Sequence, residues 1–214
     1  MTGNQKVEGQ STGQRRTALR HALVAAAERA IAREGLAGLR ARALAEEVGC
    51  AVGAIYNVVT DLNDLVLMAN AETLGALKCA LDKAAGTNKT VDGLDGAIAR
   101  LVQMALAYLD FAAANTLRWR ALFDHHMPQG QQVPDWYLKQ QQRLFDDVEA
   151  LLVALHRQGS DRHRALLARS LFSAVHGLVV LGLEEKLQPI PLPVLRDQIR
   201  FVVTAIGRGM APAH

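Results

Sequence analysis

Residues 43–59, "ALAEEVGCAVGAIYNVV", decide how this chain is read. Leu44, Ala45 and Val48 recur at helical spacing on one side of a short helix over about 41–48, with Glu46 and Glu47 on the other. Gly49 sits where a helix C-cap glycine belongs. A second short helix over about 52–58 turns Ile55 and Val59 inward, which leaves Tyr56 and Asn57 to project elsewhere. A helix, a tight glycine turn and a second helix make the unit whose second member lies in a DNA major groove. Ala51, Gly53 and Ala54 are small enough to let that helix approach closely. Ala51, Val52 or Ala54 can meet a thymine methyl, and the Asn57 amide can pair with an adenine edge.

Outward from this unit the pattern stays helical. Leu19, Leu23, Ala26, Ala27, Ala30 and Ile31 predict a first helix over 17–34, stopped at Gly35. Asp61 predicts the cap of a long helix to about 85, and "GTNKT" at 86–90 interrupts the pattern. Further helices are predicted at 91–113, 116–127, 134–158, 161–187 and 193–208, with Pro128 as a stop and Pro134 and Pro193 in first turns. The expectation is an all-α chain of about nine helices. Residues 1–14 read as a disordered tail, 15–62 as a three-helix DNA-binding domain and 63–214 as a second helical domain.

Composition agrees with that reading. Of 214 residues, 50% are apolar but only 5% aromatic, and long Ala- and Leu-rich stretches free of proline favour helix over strand. The net charge of +3 is unevenly spread: residues 1–45 carry eight basic side chains against three acidic ones. A cationic N-terminal part suits a polyanion such as DNA. Two cysteines, Cys50 and Cys79, are too few for a disulfide framework, so the expected compartment is a reducing cytoplasm. The longest uncharged apolar stretch, 170–183, is shorter than the roughly 20 residues needed to span a bilayer. No membrane partner is expected.

Residues 19–65 resemble the N-terminal domain of the tetracycline-repressor (TetR) family of transcriptional regulators. The resemblance rests on an alanine-rich first helix ending in a glycine, the Leu44–Ala45 pair, the turn at Gly49, and then Gly53, Ile55 and Tyr56. It implies a homodimer on a near-palindromic operator, with a recognition helix at about 51–58. The chain departs from the family at Ala51, where a serine is usual, and at Val58 and Val59, where histidine and phenylalanine are usual. It also has "TDLND" in place of a lysine near the start of the fourth helix, and Arg40 in place of a capping threonine or serine. Arg15, Arg16, Arg40 and Arg42, with the Tyr56 hydroxyl, are therefore the expected phosphate contacts.

The C-terminal part resembles the TetR subgroup with a Trp-His-Gly motif, through "SLFSAVHGLVVLGLEEKL" at 170–187 and "RWRALFDHHMP" at 118–128, with Val175 in place of the tryptophan. That implies an effector-binding and dimerisation domain whose last two helices pair with their symmetry mates. Leu171, Val175, Leu178, Val179 and Leu183 leave the first of these apolar over more than one face, which places Val175 and Leu178 in the expected seam. Tyr108, Phe111, Trp119, Phe123, Met127, Trp136 and His176 are the candidate lining of a pocket for a small apolar or amphipathic effector. His125 and His126 are adjacent and would splay apart on a helix, and His156 and His163 lack a partner set, so no metal and no cofactor is expected. No catalytic constellation is present, and the chain does not read as an enzyme. The expected function is a DNA-binding regulator, a repressor released by an effector. The alternative is a ligand-binding helical dimer that has lost its DNA-binding face.

Overall fold

The computed structural model describes residues 12–86, 93–155, 159–183 and 190–210. Its elements are α1 (Thr12–Glu34), a single 3-10 turn (Gly35–Gly38), α2 (Ala41–Val48), α3 (Val52–Ile55), α4 (Leu62–Ala85), α5 (Gly93–Ala114), α6 (Thr116–Asp124), α7 (Asp135–Leu155), α8 (Asp161–Leu183) and α9 (Leu192–Gly209). Among the described residues there is no strand.

Helix α1 starts earlier than the apolar spacing indicates, at Thr12, so residues 12–14 are helical rather than the end of a tail. Residues 1–11 lie outside the described residues, as do most of "GTNKT" and the expected helix ends at 156–158 and 184–187. Helix α6 ends at Asp124, three residues before the expected stop, and His125 is already extended.

The α2–α3 hairpin is built by its turn. Gly49 has φ +74, a left-handed conformation, which lets its own N–H reach Glu46 O at 3.2 Å and the Cys50 N–H reach Ala45 O at 2.9 Å. Two of the four carbonyls that the helix end would orphan are thus satisfied. Helix α3 is a single turn, shorter than the expected 52–58. Val58 and Val59 are adjacent and both buried, so the backbone tightens after Ile55, with Asn57 N bonded to Ala54 O and Val58 N to Ile55 O. An α-helix carried through 59 would rotate one of these valines about 100° away from the other.

At the start of α4, Asp61 Oδ1 accepts from the Asp64 N–H at 2.9 Å, and Asp64 Oδ2 accepts from the Thr60 N–H at 2.9 Å. The α2–α3 hairpin is therefore tied to the helix that leads into the rest of the molecule.

Three apolar clusters fill the interior. Leu23, Ala27, Ile31, Leu44, Ile55, Val59 and Leu65 belong to the first, which joins α1–α4. The second and largest lies among α4, α5, α7, α8 and α9 around Leu101, Leu109, Leu152, Val179 and Ile199. The third is small and sits between α4, α6 and α7 around Leu67, Leu74, Leu122 and Tyr137. Helix α9 comes so near α5 that a Cβ on Gly207 would stand 2.8 Å from Ile98 Cγ1.

Helices α5 and α8 are both long and apolar enough, by length and composition, to cross a membrane. Helix α5 is a core helix, with 56% of its apolar window buried, but only 22% of the α8 window is buried. The exposed share is not the set that the sequence spacing indicates. Leu171, Val175 and Val179 face the interior of this chain, so Val175 does not lie in a seam between copies. The large apolar side chains that remain outside are Leu166 and Leu181 on α8, 56% and 52% exposed, and Leu192, Val194 and Phe201 on α9, the last 68% exposed.

The cap at Asp61 carries a testable consequence. Its hydrogen bond from the Asp64 N–H holds the carboxyl below its ordinary range. A carboxyl with a lowered folded-state pKa adds stability above the unfolded value of about 3.9, and that stability is lost as pH falls through the folded value. Asp61→Ala is expected to cost about 0.5–2 kcal/mol at pH 7, and the difference from the unmutated protein should shrink in urea unfolding at pH 3.

Candidate DNA-binding face and ligand cavity

Two regions carry the candidate chemistry. On the first, Ala51, Val52, Gly53, Tyr56 and Asn57 are exposed, Ala54 is half-buried and Ile55 is fully buried. Tyr56 is 50% exposed, a large aromatic held outside the core by the turn that buries its two neighbours at 58 and 59. Val58 and Val59 belong to the core of the first cluster. The aspartates at 61 and 64 are likewise engaged in the α4 cap. Arg15 and Arg16 are exposed in the first turn of α1, and Arg40 and Arg42 are exposed at the start of α2. Arg40 is the α2 N-cap without a side-chain cap bond, and its guanidinium lies 3.7 Å from Glu34.

The second region is a cavity of about 630 Å³ within the C-terminal helices. Its wall includes Leu77, Leu101, Met104, Leu171 and Val175, together with the aromatic rings of Tyr108, Phe123, Phe145 and Phe172. The polar lining groups, Gln141, Gln142, Arg169 and Ser173, come from α7 and α8.

Behind Tyr108 lies a chain of hydrogen bonds. Trp119 Nε1–H donates to the Tyr108 hydroxyl at 2.8 Å, and Tyr108 Oη lies 2.7 Å from His176 Nδ1. Tryptophan is only a donor, so the tyrosine oxygen accepts from it and its single proton goes to Nδ1, which leaves the imidazole proton on Nε2. Burial pushes the Tyr108 phenol up and the His176 imidazole down, and both effects favour the neutral forms that this chain requires. The His176 ring stacks on Phe172 at 5.3 Å and meets Phe123 at 4.2 Å between ring centres.

Of the seven effector candidates, then, Tyr108 and Phe123 line the cavity, and Trp119 and His176 form the aromatic and hydrogen-bonded layer against it. Phe111 packs elsewhere on the main core, and Met127 packs against the small third cluster. Trp136 borders a separate cleft with Arg20, Glu28 and Glu72. Phe145, Phe172 and Arg169 escape the sequence reading. Arg169, Phe172, Ser173 and His176 follow one another at three- and four-residue spacing, so one face of α8 links them to His176 in the sequence itself.

Helix α6 joins the two regions. Arg118 donates to Glu28 of α1 at 2.9 Å and to the Thr73 hydroxyl of α4 at 3.3 Å. The buried Asn70 of α4 donates to Ala121 O at 2.9 Å. The next residue after Arg118 is Trp119, in the cavity's aromatic layer.

Residues 101–206 match the family model described as the tetracyclin repressor-like C-terminal domain. The chain belongs to the TetR family. TetR proteins are DNA-binding transcriptional regulators, and the helix-turn-helix followed by a helical cavity domain is the architecture seen here. A protein of unknown function from Rhodococcus sp. RHA1 is similar over 98% of this chain and 100% of its own, with a TM-score of 0.70 and 22% identity. The TetR family transcriptional regulator PfmR from Thermus thermophilus is similar over 89% of this chain and 99% of its own, at TM-score 0.57 and 16% identity. The multidrug binding protein EbrR, solved with imidazole, is similar over 91% of this chain and 96% of its own, at TM-score 0.57 and 17% identity. At these identities the likeness is one of fold. No curated protein matches the sequence.

The hydrogen-bond chain fixes an expected outcome. Tyr108→Phe removes one oxygen and orphans both the buried Trp119 N–H and His176 Nδ1, at a cost of about 1–3 kcal/mol. Urea unfolding followed by tryptophan fluorescence measures it, and a cost under about 0.5 kcal/mol would mean that water replaces the phenol.

Proposed function

We propose that this TetR-family protein is a homodimeric repressor that a small apolar or amphipathic effector releases from its operator. The observation that carries the proposal is the position of α6, which supplies Phe123 and Trp119 to the cavity side and Arg118 to Glu28 of the DNA-binding unit. An occupant that displaces the aromatic layer moves α6, and α6 cannot move without disturbing the Arg118–Glu28 pair and the Asn70–Ala121 bond. To release the protein, the effector must bind the DNA-incompetent arrangement more tightly, and operator must weaken effector binding by the same factor.

In this reading each α3 enters one major groove, Asn57 reads a base edge, and Arg15, Arg16, Arg40 and Arg42 hold phosphates. Tyr56 adds a phosphate contact through its hydroxyl. The test is selection of genomic fragments by the purified protein, followed by titration of the selected duplex and a scrambled one across a salt series. Asn57→Ala is expected to cost about 1–3 kcal/mol on the selected duplex and much less on the scrambled one. Arg15→Ala is expected to weaken both alike and to make the salt slope shallower by roughly one unit per lost phosphate contact. Retention of no fragment would instead support a ligand-binding dimer without a DNA role.

The exposed apolar side chains of α8 and α9 support the dimer. Side chains as large as Phe201 and Leu181, left in water on neighbouring helices, are what a four-helix seam between two copies would cover. Phe201→Glu and Leu181→Glu are expected to give folded monomers in sedimentation, because both residues are exposed in the single chain and a charge in the seam costs several kcal/mol. An unchanged dimer for both variants would place the seam on another face.

A further inference from the structure

We propose that the occupant of the cavity is an amphipathic anion, with its apolar body among the leucines and phenylalanines and its negatively charged head held at the mouth by Arg169. This inference rests on the reading of the cavity as the effector site and adds the sign of the ligand's charge.

Three observations converge. First, among the described residues Arg169 is the one charged residue that lines the cavity, and no carboxylate lines it. Second, among the described residues the Arg169 side chain has no hydrogen-bond or ion-pair partner. Nearby Asp146 and Glu149 accept instead from the Gln142 amide, at 3.4 and 3.0 Å. Third, among the described residues lining the deep wall the one hydroxyl, on Tyr108, is already engaged, accepting from Trp119 and donating to His176.

A ligand's polar end is therefore directed to the mouth. The groups that meet it there are the Arg169 guanidinium, the Gln141 amide, which has no partner among the described residues, and the Ser173 oxygen, which donates its proton to the Arg169 carbonyl at 2.9 Å. A guanidinium and a primary amide both offer N–H donors in a plane, the arrangement that a carboxylate or another oxyanion accepts. A cationic head would meet Arg169 with like charge, and a neutral head would leave the guanidinium unpaired.

The probes are three ten-carbon amphiphiles that differ only at the head: decanoate, 1-decanol and decylamine, titrated by calorimetry at pH 7.5 into the unmutated protein, Arg169→Gln and Arg169→Lys. Decanoate is expected to bind the unmutated protein about tenfold more tightly than decanol, and decylamine more weakly than either. Arg169→Gln should remove the advantage of decanoate and leave decanol unchanged, and Arg169→Lys should retain part of it. Because Arg169 is exposed on α8, neither variant disturbs the core. The decanoate advantage should also narrow as salt rises from about 0.05 to about 0.5 M, since a head at the mouth is partly screened. Decanol or decylamine binding as tightly as decanoate, or an unchanged decanoate affinity in Arg169→Gln, overturns the anionic assignment and leaves the cavity as an effector site. Failure of all three amphiphiles to bind removes the cavity reading and this inference with it.

Discussion

Helix α6 has to satisfy three neighbours within nine residues, and the rest of the molecule is arranged around that demand. Trp119 enters the main C-terminal cluster, Ala121 the cluster of the DNA-binding unit and Leu122 the small cluster under α7. Arg118 on the same helix is hydrogen-bonded to both α1 and α4. A short helix packed on three sides has little freedom to shift alone, because close-packed interiors transmit displacement rather than absorb it. The two candidate regions are thus parts of one mechanical body, although their cores are separate.

The polar contacts around α6 are few, and each is placed where its loss is costly. Asn70 is almost wholly buried and spends its amide N–H on Ala121 O. Glu28 is partly buried, and burial holds its carboxyl above the ordinary range while Arg118 pulls it back down. These opposing effects make the Arg118–Glu28 pair a poor source of net stability but a sensitive marker of position, since either partner alone would be a charge poorly placed for water. By contrast, the pairs of Glu47 with Arg29 and Arg33 lie on the surface between α1 and α2 and add little beyond orientation.

Local chemistry makes much of this legible in the sequence. The bounds of α2, the left-handed Gly49 and the Asp61 cap follow from short-range rules, and each is readable because the deciding residues are neighbours in the chain. What escapes depends on long-range packing. Val175 and Leu181 stand about 120° apart around α8, and periodicity cannot tell which of two apolar faces meets its own chain; the structure buries Val175 against the interior and leaves Leu181 exposed. The spacing predicts two turns for the third helix because "IYNVV" is compatible with helix, and only the burial of both valines shortens it. In the cavity, Tyr108 and Phe123 are found by residue type, whereas Phe145 gains meaning only when α7 and α8 are brought together.

In the proposed reading, the shortness of α3 limits how much information one copy of the chain takes from DNA. Four residues at about 1.5 Å rise span about 6 Å, less than two steps of a duplex whose base pairs lie about 3.4 Å apart. One turn of helix, with Asn57 in the turn just beyond it, can therefore query only about three base pairs, and at about 1–3 kcal/mol for each mismatch a single half-site separates targets by only a few kcal/mol. Two rigidly linked half-sites double that discrimination and add a requirement on the spacing between them. Selectivity in a genome would then reside chiefly in a distance, set by the seam between subunits many residues away from any base.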